Sequence, residues 1–469
     1  LSQLAAPLQP IQGRRPRVVI IGGGFAGIHA AKGLRKLPVD VTVIDRRNHH
    51  TFQPLLYQVA LAVLSPADIA SPIRSILRHN ANTQVLMDEV LGIDPKEQSL
   101  SLKSGARITY DYLVLAAGST HSYFGHDEWA SSAPGLKTIE DATEIRRRVL
   151  LAFELAERQM QEHGWHPPLN FVVIGGGPTG VELAGAIRDI AQYYMRHDFR
   201  HIIPQKAKVL LLDGGDRLLA AYPPDLSAKA QKELEDLGVE IHLGCHVTGI
   251  SPGWVETGGP HPIGKVEAAV TLWAAGVQAS PLGKLLGAPL DRRGCVMVDD
   301  QLNPASIANV FVLGDLAHFE QDGKQVPGVA QPAMQMGDHV AKMIEADLKG
   351  RKRPAFRYFD KGDMATIGRM SAVADVKWPF KGHLSGVAAW FTWLVVHIFF
   401  LIGFRNRIAV LFTWFWSYMS FTRSARLITG DQRLPGWQEQ VKAGPAASAA
   451  PAASATPASP PPGSAQAAD

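Results

Sequence analysis

Cysteine is nearly absent: Cys245 and Cys295 are the only two in 469 residues, and no C-x-x-C spacing occurs. A disulfide framework, an iron–sulfur ligand set and a zinc finger all lack their residues, so no metal is expected and a reducing compartment fits. Charge of one sign is missing too, with 47 basic against 43 acidic residues and a formal net charge of +4. No global field would gather nucleic acid. The first residues lack the basic-then-apolar order of a secretion signal, because two prolines interrupt Leu4 to Ile11 and Arg14, Arg15 and Arg17 come after it; an intracellular location is expected. Ala443 to Asp469 has no aromatic and no large aliphatic residue, cannot bury enough area to offset its ordering entropy, and reads as a disordered tail.

Apolar residues, in contrast, make up 46% of the chain, enough for roughly three domains at about 150 residues each. Val18 opens a short continuous apolar run, the mark of a strand buried on both faces of a parallel sheet. It runs into Gly22, Gly24 and Gly27 at G-x-G-x-x-G spacing, then a helix expected over Ile28 to Leu37 and a second strand ending at Asp45. The first glycine makes the tight turn, the second lets a pyrophosphate approach the backbone, and the third lets helix and strand pack closely, while Asp45 is placed to accept from a ribose. The pattern repeats: Phe171 to Ile174, then Gly175, Gly177 and Gly180, a helix from Val181, and the strand Val209 to Leu212 ending at Asp213. The expected fold class is α/β, with two Rossmann-like dinucleotide-binding domains. Two further strands each end in Ala-Ala-Gly, at Ala117–Gly118 and Ala275–Gly276, turns small enough to pass beside a cofactor, and Val310 to Asp315 delivers one more acid after Gly314.

Together these residues resemble the flavoprotein oxidoreductases with two dinucleotide sites, over about Pro16 to Asp347. The resemblance implies FAD in the first site, a nicotinamide nucleotide in an inserted second domain, and Asp315 near the ribityl and pyrophosphate portion of FAD. The stretch His49 to Ala60 holds no cysteine pair of the kind that disulfide reductases of this fold carry, and both cysteines are expected to be inert, away from every flavin motif. Ala330-Gln331-Pro332-Ala333-Met334-Gln335 matches the A-Q-x-A-x-Q motif of the single-subunit type II NADH dehydrogenases, and Phe52 to Tyr57, including Gln53, is similar to that family's segment beside the isoalloxazine. The resemblance implies a quinone substrate. Gln331 and Gln335 stand four apart, hence on one helix face, and an amide suits a carbonyl that becomes a hydroxyl. It further implies that Glu182 works near the nicotinamide–flavin contact, positioning substrate and handling a proton. Asp213 should accept from both ribose hydroxyls of NADH and repel a 2′-phosphate.

Gly386 to Phe404 is nineteen residues without a formal charge, about 28 Å as a helix and near the spanning threshold, whereas Ile408 to Thr422 would reach only about 22 Å. The latter carries Thr413, Ser417, Ser420 and Ser424 at helical spacing, which reads as an interfacial helix. Between Gly350 and Gly430 twelve Lys or Arg face three Asp, on a segment containing Trp390, Trp393, Trp414 and Trp416. That composition predicts a helical region lying on an anionic lipid surface at the cytoplasmic face of the cell membrane. The expected layout is an FAD domain over 1–138 and 295–348, an NADH domain over 139–294, a C-terminal membrane-associated region over 349–442 and the tail from 443, with a homodimer expected. The expected activity is FAD-dependent transfer of two electrons from NADH to a membrane quinone without proton pumping. The rival readings are a soluble NADH-dependent flavoprotein that uses a protein carrier or oxygen, and a nucleotide-sensing module.

Overall fold

The run Val18–Ile21 sits where its apolarity requires, in the middle strand of a five-stranded parallel sheet. The computed structural model describes residues 14–305, 307–420 and 425–448. Strands follow the order Val310–Val312, Tyr112–Leu115, Arg17–Ile21, Asp40–Asp45, Thr83–Met87, all parallel. Being paired on both edges and covered on both faces, Val18 to Ile21 are almost fully buried. The helix after the first glycine turn spans Phe25–Leu34, three residues earlier at each end than expected. It starts directly on Gly24 and stops ahead of Pro38, which cannot continue a helix and biases its predecessor away from helical angles.

A second parallel sheet, of order Val239–His242, Lys208–Leu212, Asn170–Ile174 and Val270–Trp273, repeats the design. Its glycine-turn helix spans Pro178–Asp189 rather than starting at Val181, because Pro178 fits the first helical position, where no amide donor is needed. Before this sheet runs the 25-residue helix Ile139–His163, started by a reciprocal cap between Thr138 and Asp141 and stopped by the left-handed Gly164. An antiparallel ribbon, Ser119–His121 with Val277–Ala279, ties the two sheet units together.

The C-terminal region begins with a sheet rather than helices. Strands Gly362–Thr366, Ala372–Val376 and Gly382–Ser385 form an antiparallel unit. It lies so close to the helix Pro178–Asp189 that a methyl on Gly185 would come 2.8 Å from the Gly368 amide nitrogen. Two helices follow, Gly386–Phe400 and Phe404–Ser420. The expected nineteen-residue apolar helix is therefore broken at Leu401–Gly403, where Gly403 takes φ +94°. Among the described residues no helix is long and apolar enough to cross a membrane.

The second helix carries distinct inner and outer faces. Asn406, Val410, Trp414 and Ser417 face inward, while Phe404, Phe412, Phe415, Trp416 and Met419 face out. Trp393 is likewise buried, so both it and Trp414 pack in the core. Ser424 lies outside the described residues. The tail reading also shifts: a helix, kinked at Gly444, runs Trp437–Ser448 and is fixed to the second sheet unit by Gln440, whose Nε2 donates to the Gly253 carbonyl at 2.8 Å. Residues 449–469 lie outside the described part.

Candidate functional site

Both glycine turns have the same geometry, residue for residue. Gly22 and Gly175 take φ +105° and +112°, which side-chain-bearing residues rarely adopt. A methyl on Gly27 or Gly180 would fall 1.8 Å from the carbonyl oxygen of Gly22 or Gly175. The middle glycines differ: a methyl on Gly24 or Gly177 would meet no protein atom within 4 Å. Each middle glycine caps its helix through backbone alone, with no side chain on the first-turn amides. Open space, free N–H groups and a positive helix terminus together suit a pyrophosphate, so both turns fit a dinucleotide.

The two acids brace these turns. Asp45 Oδ2 accepts from the Gly23 amide at 2.6 Å and Oδ1 from Arg47 at 2.7 Å. Asp213 does the same toward Gly176 at 2.5 Å and Gly215 at 2.7 Å. Each carboxylate keeps further lone pairs for a ribose. Gly118, in the left-handed region at φ +68°, and Gly314, at +65°, turn the chain after their strands. Asp315 accepts from Ser119 Oγ at 2.7 Å and lies 3.8 Å from Lys137 Nζ, which itself donates to Ser119 at 2.9 Å. Ser119 and Lys137 were missed from the sequence, since their only signal is adjacency to the Ala-Ala-Gly turn and to the start of a long helix.

Between the two sheet units lies a cavity of about 140 Å³, bounded by Gln53, Tyr57, Lys137, Thr179, Glu182 and Gly276. It brings the short helical turns Gln53–Leu55 and Leu56–Ala60 against the helix that follows the second glycine turn. Burial pushes the Glu182 carboxyl up to about 8, against a weaker opposing hydrogen bond from the Thr366 backbone. At neutral pH Glu182 is therefore a neutral acid. Tyr57 is pushed well above the usual phenol range, by burial first and by Glu182 second. Its hydroxyl pairs with Thr366 Oγ1 at 2.9 Å and accepts from Gln58 Nε2 at 3.0 Å, and Gln58 Oε1 accepts from the Trp414 indole at 2.7 Å. A buried line of hydrogen bonds thus links the cavity to the helix Phe404–Ser420. No sequence pattern announces this link, which joins residues more than 350 apart.

The two motif glutamines separate in role. Gln335 is closed on Phe359, donating to its carbonyl and accepting from its amide, both at 2.9 Å, so one donor and one acceptor of its amide serve the chain. Gln331 Nε2 donates to the Gly362 carbonyl at 2.8 Å, which fixes the amide's orientation, and leaves Oε1 buried without a partner. An orphaned buried acceptor is costly unless something else fills its bond, and a bound group fits it. Ala330 begins this helix, and a methyl on Gly328 just ahead of it would come 3.5 Å from Asp315.

Both cysteines are buried and free, and burial raises both thiols, Cys295 to about 11. Inertness follows. Cys295 is nonetheless next to a flavin motif, contrary to expectation, because its Sγ donates to the Asp315 carbonyl at 3.5 Å. Among the described residues no cluster could hold a metal ion.

Residues 16–337 match the family model described as pyridine nucleotide-disulphide oxidoreductase, and residues 361–424 match the one described as NDH2 C-terminal domain. The chain is 45% identical to the type II NADH:quinone oxidoreductase NdhA of Mycobacterium tuberculosis, over 89% of this chain and 90% of that protein. It is 44% identical to Ndh of the same organism, over 89% and 91%. The structure of NDH2 from Plasmodium falciparum in complex with NADH superposes with a TM-score of 0.78 at 19% identity, over 89% of this chain and all of that one, which shows a shared fold. The sulfide:quinone oxidoreductase of Aquifex aeolicus superposes at 0.66 with 20% identity, over 84% of this chain and 92% of that one. With two uncapped glycine turns and identity at this level along nearly its whole length, the chain belongs to the type II NADH:quinone oxidoreductase family.

Proposed function

We propose that the chain performs its family's reaction, transferring two electrons from NADH to a membrane quinone through FAD and feeding the respiratory chain without pumping protons. FAD, when bound, supplies the redox chemistry, accepting a hydride and releasing electrons to the second substrate. Gly22, Gly24, Gly27 and Asp45 would hold its adenosine and pyrophosphate, with Ala117, Gly118, Gly314 and Asp315 along its middle and Gln53, Ala330 and Gln331 toward its ring. Gly175, Gly177, Gly180, Asp213, Ala275 and Gly276 would hold NADH, and Glu182 would position the nicotinamide end and hold a proton. Gln331 Oε1 would accept from the quinone as it becomes a quinol. The observation that carries this reading is the cavity that both glycine-turn units line, with a neutral carboxyl inside it.

The same proposal places the protein on an anionic membrane at the cytoplasmic face, as a homodimer. Supporting it, both C-terminal helices turn apolar faces outward: Phe399 is 67% exposed, Phe404 80% and Met419 68%. Their surroundings carry the excess of nine basic charges. Purified chain should be yellow, bleach anaerobically with NADH and recolour with a short-chain quinone, and vesicle flotation should fail after Phe404→Ser, Phe412→Ser and Trp416→Ser together. A preparation colourless after reconstitution with FAD would refute the enzymatic reading.

A further inference from the structure

A second cavity, of about 230 Å³, lies where the flavin-side helix Phe25–Leu34 meets the turn between the two outward-facing helices. Lys32, His50, Arg407 and Phe399 line it, and it opens beside Phe399 and Phe404, the most exposed aromatics among the described residues. Arg407 donates through Nε to the Leu401 carbonyl at 2.8 Å, and its two terminal nitrogens have no partner among the described residues. Lys32 has no ion pair there either; its ammonium is pulled below the usual lysine range by burial, with Asp338 opposing. Asp338 is already paired with His29 at 3.0 Å, so the cavity keeps a positive balance. His50, 2% exposed, has one ring nitrogen against the Gly23 carbonyl at 3.0 Å and the other, Nε2, buried without a partner. Because Nδ1 must carry the proton to donate to a carbonyl, Nε2 presents a lone pair and calls for a donor.

We propose that this cavity binds the headgroup of an anionic phospholipid that bears hydroxyls, of the phosphatidylglycerol kind. The phosphate would lie between Lys32 and Arg407, a headgroup hydroxyl would donate to His50 Nε2, and the acyl chains would run out over Phe399 and Phe404. Two cations select an anion, a buried acceptor selects a hydroxyl, and the adjoining apolar rim selects a lipid over a soluble phosphate. The inference rests on the membrane attachment proposed above. It adds that one lipid touches the flavin loop, since His50 bonds Gly23, which directly precedes the pyrophosphate-binding Gly24.

The test is cosedimentation of the full chain with phosphatidylcholine vesicles, doped with equal fractions of phosphatidylglycerol or phosphatidylserine. Binding to phosphatidylglycerol should exceed that to the equally charged serine lipid by about fivefold, one hydrogen bond to a buried acceptor. Lys32→Gln with Arg407→Gln should weaken it about thirtyfold. Lys32→Arg with Arg407→Lys should retain it, which separates lost charge from a damaged fold. Equal weakening by the exposed pair Lys381→Gln and Arg405→Gln would show a diffuse field and overturn the site. So would equal stabilisation of the detergent-solubilised protein against melting by inorganic phosphate, or displacement of the lipid by a short-chain quinone. Failure to bind any vesicle would defeat the membrane reading itself, whereas equal binding to neutral and phosphatidylglycerol vesicles would defeat this site alone.

Discussion

Replacing Glu182 by glutamine keeps the shape of a buried side chain and removes its ability to ionise. In the folded protein the carboxyl titrates at about 8, against an ordinary value of 4.5. The folded state therefore holds a proton that the unfolded chain releases, and stability falls as pH rises through that window, the loss being complete above the folded value. Between pH 4.5 and pH 7 the loss is at most about 3 kcal/mol, at 1.36 kcal/mol per pH unit. Glu182→Gln should lack it, so its advantage over the parent should grow across this range in denaturant unfolding of the apoprotein. Parallel pH profiles for the two proteins would refute the assignment of a neutral buried acid. The chemistry gives a second readout. Hydride departure leaves positive charge on the nicotinamide, which a carboxylate stabilises better than a neutral acid. Anaerobic flavin reduction should thus accelerate as pH passes about 8 in the parent and stay flat in Glu182→Gln.

The glycine turns separate folding from binding. Gly24→Val should fold as an apoprotein of unchanged melting temperature but purify with little flavin, because its side chain enters only ligand space, whereas Gly27→Ala forces a methyl onto the Gly22 carbonyl and should lower stability by about 1–3 kcal/mol in denaturant titrations. Asp213→Asn should move the ratio of kcat/KM for NADPH over NADH upward by about tenfold, since one unit of repulsion toward a 2′-phosphate disappears; an unchanged ratio would count against a ribose role. Gln335→Ala should lower stability by about 1–2 kcal/mol, measured by chemical unfolding, through the two lost bonds to Phe359, and should leave the KM for a short-chain quinone unchanged.

The hydrogen-bonded line from Thr366 through Tyr57 and Gln58 to Trp414 gives the helix Phe404–Ser420 a direct mechanical relation to the cavity. One face of that helix meets the proposed membrane while Trp414, on the other, reaches the residue next to Tyr57. The chain uses its sheet unit Gly362–Ser385 as the bracket between them, packed on the same helix that carries Glu182.

Local physics wrote the two nucleotide turns into the sequence. A tight turn, a close approach and a helix packed on a strand each demand glycine at a fixed offset, so Gly22, Gly24 and Gly27, and Gly175, Gly177 and Gly180, announce their geometry without any distant partner. The flanking strands were equally legible, because burial on both faces leaves an unbroken apolar run. Only the folded chain decided which side of an apolar helix faces out. The serine and threonine spacing of Phe404–Ser420 marked a polar stripe, and packing of Trp414 against Gln58 decided that Ser417 faces inward and Phe412 and Phe415 face out. Likewise, two glutamines at one spacing became a clamp and an orphaned acceptor because Phe359 lies beside one and Gly362 beside the other. Hydrogen bonds across hundreds of residues depend on where the chain returns, and no local pattern carries that information.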